Sequence, residues 1–194
     1  CDGIDNNCDG NLDDGVLTTY YRDMDGDGFG NPSNTTQSCS VPVGYVTNNT
    51  DCDDNDALEK PGQVWYKDSD NDGYAQTGAA TITQCLRPAG YKAASELVST
   101  TGDCNDNEDE INPGATEVCD GIDNNCDGNL DDGVLTTYYR DMDGDGFGNP
   151  SNTTQSCSVP VGYVTNNTDC DDNDALEKPG QVWYKDSDND GYAQ

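Results

Sequence analysis

Asp23-Met24-Asp25-Gly26-Asp27-Gly28-Phe29-Gly30 sets carboxylates at i, i+2 and i+4 and follows the third with a glycine. One short loop of this kind can wrap oxygen donors around a hard cation. The glycine permits the sharp turn, and the residue after it can offer its backbone carbonyl. The pattern returns as Asp68-Ser69-Asp70-Asn71-Asp72-Gly73-Tyr74 and, with Asn in the middle, as Asp5-Asn6-Asn7-Cys8-Asp9-Gly10. The fold class these loops predict is an irregular, β-poor tandem repeat array. It has little regular secondary structure beyond short strands and hairpins, and is stapled by Ca2+ and disulfides.

Composition supports that reading. Only 31% of the 194 residues are hydrophobic, and 22 are glycine. Ordering the backbone opposes folding by roughly 1–2 kcal/mol per residue, and so little apolar surface does not offset that. Ten cysteines supply the missing constraint and point to an oxidising, extracellular or cell-surface setting. The net charge of −31 excludes nucleic acid, whose phosphates need clustered Lys and Arg, and disfavours an anionic membrane surface. No apolar run is long enough to insert into a membrane, and no signal peptide is visible.

Residues 1–76 recur unchanged as 119–194, a period of 118. The chain stops midway through a unit, and the array is expected to continue beyond it. Each period divides into three units: 1–17, 18–62 and 63–115, followed by 116–135, 136–180 and a truncated 181–194. The second and third units are relatives. Tyr20-Tyr21-Arg22-Asp23 answers to Trp65-Tyr66-Lys67-Asp68, and Asp51-Cys52-Asp53-Asp54 to Asp103-Cys104-Asn105-Asp106. Val16–Tyr21 and Gln63–Lys67 read as short strands, with Thr81–Gln84 and Tyr45–Thr47 as partners. Tyr20, Tyr21, Trp65, Tyr66 and Tyr91 are expected to form small clusters between units. Asp54–Glu59 could make one helical turn before Pro61 stops it.

The simplest cysteine pairing is local: Cys1–Cys8, Cys39–Cys52, Cys85–Cys104, Cys119–Cys126 and Cys157–Cys170. Bridges between units are the alternative. Zinc is disfavoured by the absence of His and of any Cys-x-x-Cys pair.

The expected calcium ligands are Asp23, Asp25, Asp27 and the carbonyl of Phe29, with Asp68, Asp70, Asp72 and Tyr74 as the matching set. The first unit offers Asp5, Asn7, Asp9 and Asn11, with Asp13 and Asp14 placed to close the shell. The other loops lack an acid at the twelfth position, so they are not EF-hands and need donors from elsewhere. Asp51, Asp53, Asn55 and Asp56, and Asp103, Asn105, Asn107 and Glu108, keep the same spacing. They either complete the first clusters or build separate sites. The second copy adds Asp123, Asn125, Asp127, Asn129, Asp131 and Asp132; Asp141, Asp143, Asp145 and Phe147; Asp169, Asp171, Asn173 and Asp174; and Asp186, Asp188, Asp190 and Tyr192. Magnesium, which demands strict octahedral geometry, and copper, which favours imidazole or sulfur, suit these donors less well.

The run Ile111-Asn112-Pro113-Gly114-Ala115-Thr116-Glu117-Val118-Cys119-Asp120-Gly121-Ile122-Asp123-Asn124-Asn125-Cys126-Asp127-Gly128 resembles the MopE-type metal-binding repeat of secreted bacterial surface proteins. The Asp-x-Asp-x-Asp-Gly loops are similar to thrombospondin type 3 calcium repeats. The resemblance implies a secreted, repetitive, metal-loaded surface or stalk protein, and the family's name implies copper.

Asn34, Asn48, Asn152 and Asn166 open glycosylation sequons. No nucleophile is visibly paired with a base, so catalysis is not expected. The function expected is structural: an extracellular calcium-binding filament or rigid stalk built by self-stacking repeats. The alternative is an adhesin-type or cation- or mineral-binding module that recognises a partner through bound calcium.

Overall fold

The computed structural model describes residues 1–192. Ala193 and Gln194, the end of the last expected unit, lie outside the described residues. The chain forms two compact units, Cys1–Ala115 and Thr116–Gln194. Eleven short strands and one 3-10 turn are the regular structure among the described residues.

In the first unit, β1 (Thr18–Arg22) is the centre of a three-stranded antiparallel sheet between β2 (Asn31–Ser38) and β3 (Tyr45–Val46). The Thr-Thr-Tyr-Tyr run of β1 suits a pleated, half-buried surface, and Tyr20 is its buried residue. The polar β2 carries no apolar alternation and is not legible as a strand. It forms because β1 holds it in register, Thr18 facing Ser38 and Tyr20 facing Thr36. The register then shifts, so that Arg22 faces Asn31, and the bulge accommodates Pro32.

The next sheet centres on β4 (Val64–Lys67), flanked by β6 (Ile82–Thr83) and β7 (Tyr91–Ala93). β5 (Tyr74–Gln76) pairs in parallel with β8 (Ser99–Asp103). Strands were thus legible at β1, β3, β4 and β6, and not at β2, β5, β7 and β8. In the second unit β9 (Thr136–Arg140), β10 (Asn149–Ser156) and β11 (Tyr163–Val164) repeat the first sheet, with β9 central. No helix forms at Asp54–Glu59; successive turns occupy that stretch.

The core is small. Tyr20, Trp65, Ala75, Ala93 and Ile111 are its buried apolar residues in the first unit. Among the four largest fully buried side chains, only Trp65 is apolar; the others are Asp68, Asp103 and Asp106. Trp65 is sealed by a hydrogen bond from its Nε1 to the Gln84 carbonyl (2.9 Å) and by the Arg87 guanidinium over its ring.

The local disulfide pairing is overturned. The bridges are Cys1–Cys39, Cys52–Cys85 and Cys119–Cys157, each joining one expected unit to the next. Cys104 and Cys126 are also disulfide-bonded, whereas Cys8 and Cys170 are exposed free thiols. Strand pairing supplies the reason. The β1–β2 hairpin returns Ser38 to the side of Thr18, which brings Cys39 back to the 1–17 unit and to Cys1. Asp51, the neighbour of Cys52, is tied to the Gly30 carbonyl, at the opposite end of the β1–β2 hairpin from Ser38. Likewise β6 pairs with β4, which sets Cys85 beside the 52–62 turns, where its sulfur faces the Glu59 carbonyl.

Candidate metal centres

β1 runs directly into the first acidic loop. Asp23 leaves the strand with its N–H donating to the Gly44 carbonyl (3.0 Å). Its carboxylate then caps the turn, accepting from the N–H groups of Gly26 (2.8 Å) and Gly28 (3.3 Å). Gly28 has φ of 90°, which only glycine adopts without strain. Asp25 and Asp27 each use one oxygen to accept a local N–H, from Asp27 and Phe29 respectively. Their second oxygens are buried with no hydrogen-bond partner.

The second acidic cluster folds onto this loop. Gly30 permits the approach: a Cβ there would meet the Asn48 carbonyl at 2.7 Å and the Tyr21 Cβ at 2.5 Å. Asp51 is held by its N–H to the Gly30 carbonyl (3.4 Å), and Asp54 accepts from the Met24 N–H (2.8 Å), thirty residues away. Asp51 and Asp54 are buried, and each leaves one oxygen unpartnered. Four orphaned carboxylate oxygens therefore gather in one module, from Asp25, Asp27, Asp51 and Asp54. A buried carboxylate oxygen without a donor costs free energy that a proton, an ordered water or a cation relieves, and several such oxygens converging in one module favour a cation. Burial, joined by repulsion from neighbouring carboxylates, raises Asp25 and Asp51 above the usual carboxylate range.

Residues 63–115 build the same arrangement. Asp68, Asp70 and Asp72 lie within ligand distance of one another, and Asp70 does so again with Asp103 and Asp106. The parallel β5–β8 pair is what returns Asp103 to the loop, with the Thr77 N–H donating to its carbonyl (2.7 Å). Asp70, Asp72 and Asp103 each keep a buried, unpartnered oxygen. Burial raises Asp68, Asp72 and Asp103. In the second unit Asp141, Asp143 and Asp145 reproduce the first loop, and Asp143, Asp145 and Asp169 each leave an oxygen unpartnered.

Several expected ligands stand elsewhere. Asp53 and Asp171 accept from the neighbouring Asn55 and Asn173. Asp56 and Asp174 cap the turns at Leu58 and Leu176, and Asp56 also faces Arg87 at 3.7 Å. Asn105 is half-buried, while Asn107 and Glu108 are exposed. Phe29, Tyr74 and Phe147 enter through N–H groups that donate to Asp27, Asp72 and Asp145. Asp54, Asp106 and Asp172 were not among the expected ligands. The signal that could have found them is the Asp-Cys-x-Asp spacing kept at 51/54, 103/106 and 169/172, where the residue after the cysteine varies between Asp and Asn.

The short loops of 1–17 and 116–135 use their carboxylates on backbone. Asp5 and Asp123 accept from Gly10 and Gly128, and Asp9 and Asp127 from Asn11 and Asn129. Asn7 and Asn125 accept from the Asp9 and Asp127 N–H groups. Asp13 and Asp131 cap the N–H groups of Asp2 and Gly3, and of Asp120 and Gly121. Asp14 and Asp132 are exposed. In the second copy Glu117, not among the expected residues, braces the loop through the N–H groups of Asn125 and Asp131. In the last loop Asp186 accepts from Gly191 and Asp190 from Tyr192; Asp188 is exposed, and no second acidic arm meets them among the described residues.

Small sheets, disulfides between successive units and paired acidic arms recur along the chain. The family described as "Putative metal-binding motif", Cu-binding_MopE, matches residues 1–14, 51–64, 103–132 and 169–182, so the chain carries that motif four times. No curated protein and no solved structure matches the chain. The matched segments hold the second arms and the short loops; the Asp-x-Asp-x-Asp-Gly loops fall between them. The donor set is oxygen throughout: the chain has no His, and most of its thiols are in disulfides. That chemistry does not fit copper. The bridges are consistent with a secreted or surface protein, and no helix among the described residues is long and apolar enough to cross a membrane.

Proposed function

We propose that this chain is a structural, extracellular calcium-binding repeat protein that forms a filament or rigid surface stalk, ordered by Ca2+ and disulfides. The observation that carries the reading is the set of buried, unpartnered carboxylate oxygens at Asp25, Asp27, Asp51 and Asp54, and at Asp70, Asp72 and Asp103. Calcium takes six to eight oxygens in flexible geometry, which suits loops assembled from two distant arms. The ions replace part of the apolar interior the sequence lacks. No catalytic role is assigned. The partner is the chain itself, through stacking of successive units, and glycans are accommodated at the exposed Asn34 and Asn152 and at the half-buried Asn48 and Asn166.

The test is calcium removal from the oxidised protein. Chelation is expected to abolish protease resistance and near-ultraviolet circular dichroism while the disulfides keep the chain compact. Unchanged spectra and digestion patterns in chelator would sink the calcium reading. Electron micrographs lacking any regular fibre would leave the ion sites standing and remove the filament.

A further inference from the structure

The 18–62 and 63–108 modules superpose in sequence, but their fifth carboxylate is treated differently. Asp106 is fully buried; one oxygen accepts from the Ser69 N–H (2.7 Å), and the other from the Ser69 hydroxyl and the Lys67 ammonium. Its charge is neutralised by protein. Asp54, at the same position, is only 5% exposed, and its outer oxygen has no partner. The residue matching Lys67 is Arg22, and its guanidinium lies over the Tyr45 ring, 5.7 Å from the centroid. Arg140 does the same over Tyr163 in the second copy. There Asp172 is buried too, and its outer oxygen meets only the Asn149 amide at 3.4 Å. Met24 and Met142 stand where Ser69 would donate, so the side-chain hydroxyl is also missing.

We propose that Asp54 and Asp172 are cation ligands, and that Lys67 withdraws their counterpart Asp106 from its site. The chain then holds two classes of site: a tighter, more negative one in 18–62 and 136–180, and a weaker one in 63–108. This rests on the reading of the clusters as oxygen-ligated divalent-cation sites.

Calcium calorimetry on the full, oxidised chain at fixed salt tests both. The wild type is expected to show two tight sites and one weaker. Lys67→Met, and independently Lys67→Gln, should tighten one site about tenfold and leave the other two unchanged, because the half-buried positive charge held against Asp106 leaves the site. Adding Asp106→Asn to Lys67→Met should return that site to near its original affinity. Asp54→Asn and Asp172→Asn keep the acceptor for the Met24 and Met142 N–H groups, and each should weaken one tight site about tenfold. No calcium uptake by the wild type would remove the cation reading itself. Uptake by the wild type with every site unmoved in both Lys67 variants would overturn the assignment to Lys67 and Asp106, and every site unmoved in Asp54→Asn and Asp172→Asn would overturn the assignment of those two carboxylates as ligands.

Discussion

Residues 63–74 and 181–192 are the same twelve residues, Gln-Val-Trp-Tyr-Lys-Asp-Ser-Asp-Asn-Asp-Gly-Tyr, in two different states. In the first, β4 forms, Trp65 is wholly buried and Asp68 is 1% exposed. In the second there is no strand, and Trp183 is 64% exposed. The turn itself survives in both. Asn71 and Asn189 have φ of 67° and 59°, and the N–H groups of Tyr74 and Tyr192 donate to Asp72 and Asp190. The acidic turn is therefore a property of local sequence. The strand and the carboxylate pocket are properties of what folds back onto it: β6, β7 and the Asp103–Asp106 arm, which have no counterpart after residue 192 among the described residues. In a chain this poor in apolar residues, a unit is completed by its downstream partners.

That contrast breaks first, and most visibly, at the tryptophans. Trp65→Ala removes the largest buried side chain and should cost about 3–5 kcal/mol in denaturant unfolding of the calcium-loaded protein. Trp183→Ala should change stability within about 0.5 kcal/mol. Equal losses would mean that 181–192 is packed as 63–74 is. The next effect concerns the cysteines of the identical arms. Cys52→Ser opens a bridge of sequence separation 33 to Cys85, worth about 3–4 kcal/mol in the chain-entropy model. Cys170→Ser alters an exposed free thiol and should leave the melting curve unmoved. Limited trypsin digestion sharpens the same comparison, with Lys185 cut well before Lys67 in calcium. Simultaneous cleavage would refute the difference in order.

The parts legible in the sequence follow from the same division. The loops at 23–30 and 68–74 could be read because Asp, Asn and Gly specify their turns within eight residues. β1 and β4 could be read because Thr, Tyr, Val and Trp prefer a pleated surface. What could not be read depends on partners distant in sequence. Ser38 and Thr18 fix the Cys1–Cys39 bridge only once β2, a polar strand with no pattern of its own, has paired. Asp54 joins the loop through the Met24 N–H, and within its own unit it looks like Asp53, which turns to its neighbour Asn55; only the comparison with Asn105-Asp106 sets the two apart. Lys67 and Arg22 look interchangeable in sequence, and packing alone sends one to a carboxylate and the other to an aromatic ring.

The smallest effect, and the one with a sign to decide, is in pH. Burial and the nearby carboxylates Asp70 and Asp106 hold Asp68 above the usual range, outweighing the Asn71 N–H and Lys92. The identical Asp186 lies below that range, chiefly because the Gly191 N–H donates to it. Asp25, Asp51, Asp72 and Asp103 are raised for the same reason as Asp68. A carboxyl raised in the folded state binds its proton more tightly there than in the unfolded chain. Its contribution is present at low pH and is lost as pH rises from the ordinary carboxylate value through the raised one. Through these groups the cation-free protein gains stability near about pH 4 relative to about pH 7, while Asp106 and Glu96, held against burial below the usual range by Lys67 and Arg87, act in the opposite sense. Calcium requires the deprotonated oxygens and cancels their repulsion, so the loaded protein should show the opposite slope. Denaturant unfolding at the two pH values, in chelator and in calcium, reads both slopes. Carboxyl-resolved NMR of the cation-free chain should find Asp68 titrating above Asp186. If the two titrate together, the pocket around Asp68 does not persist without its ion, and the paired arms are assembled by calcium instead of merely occupied by it.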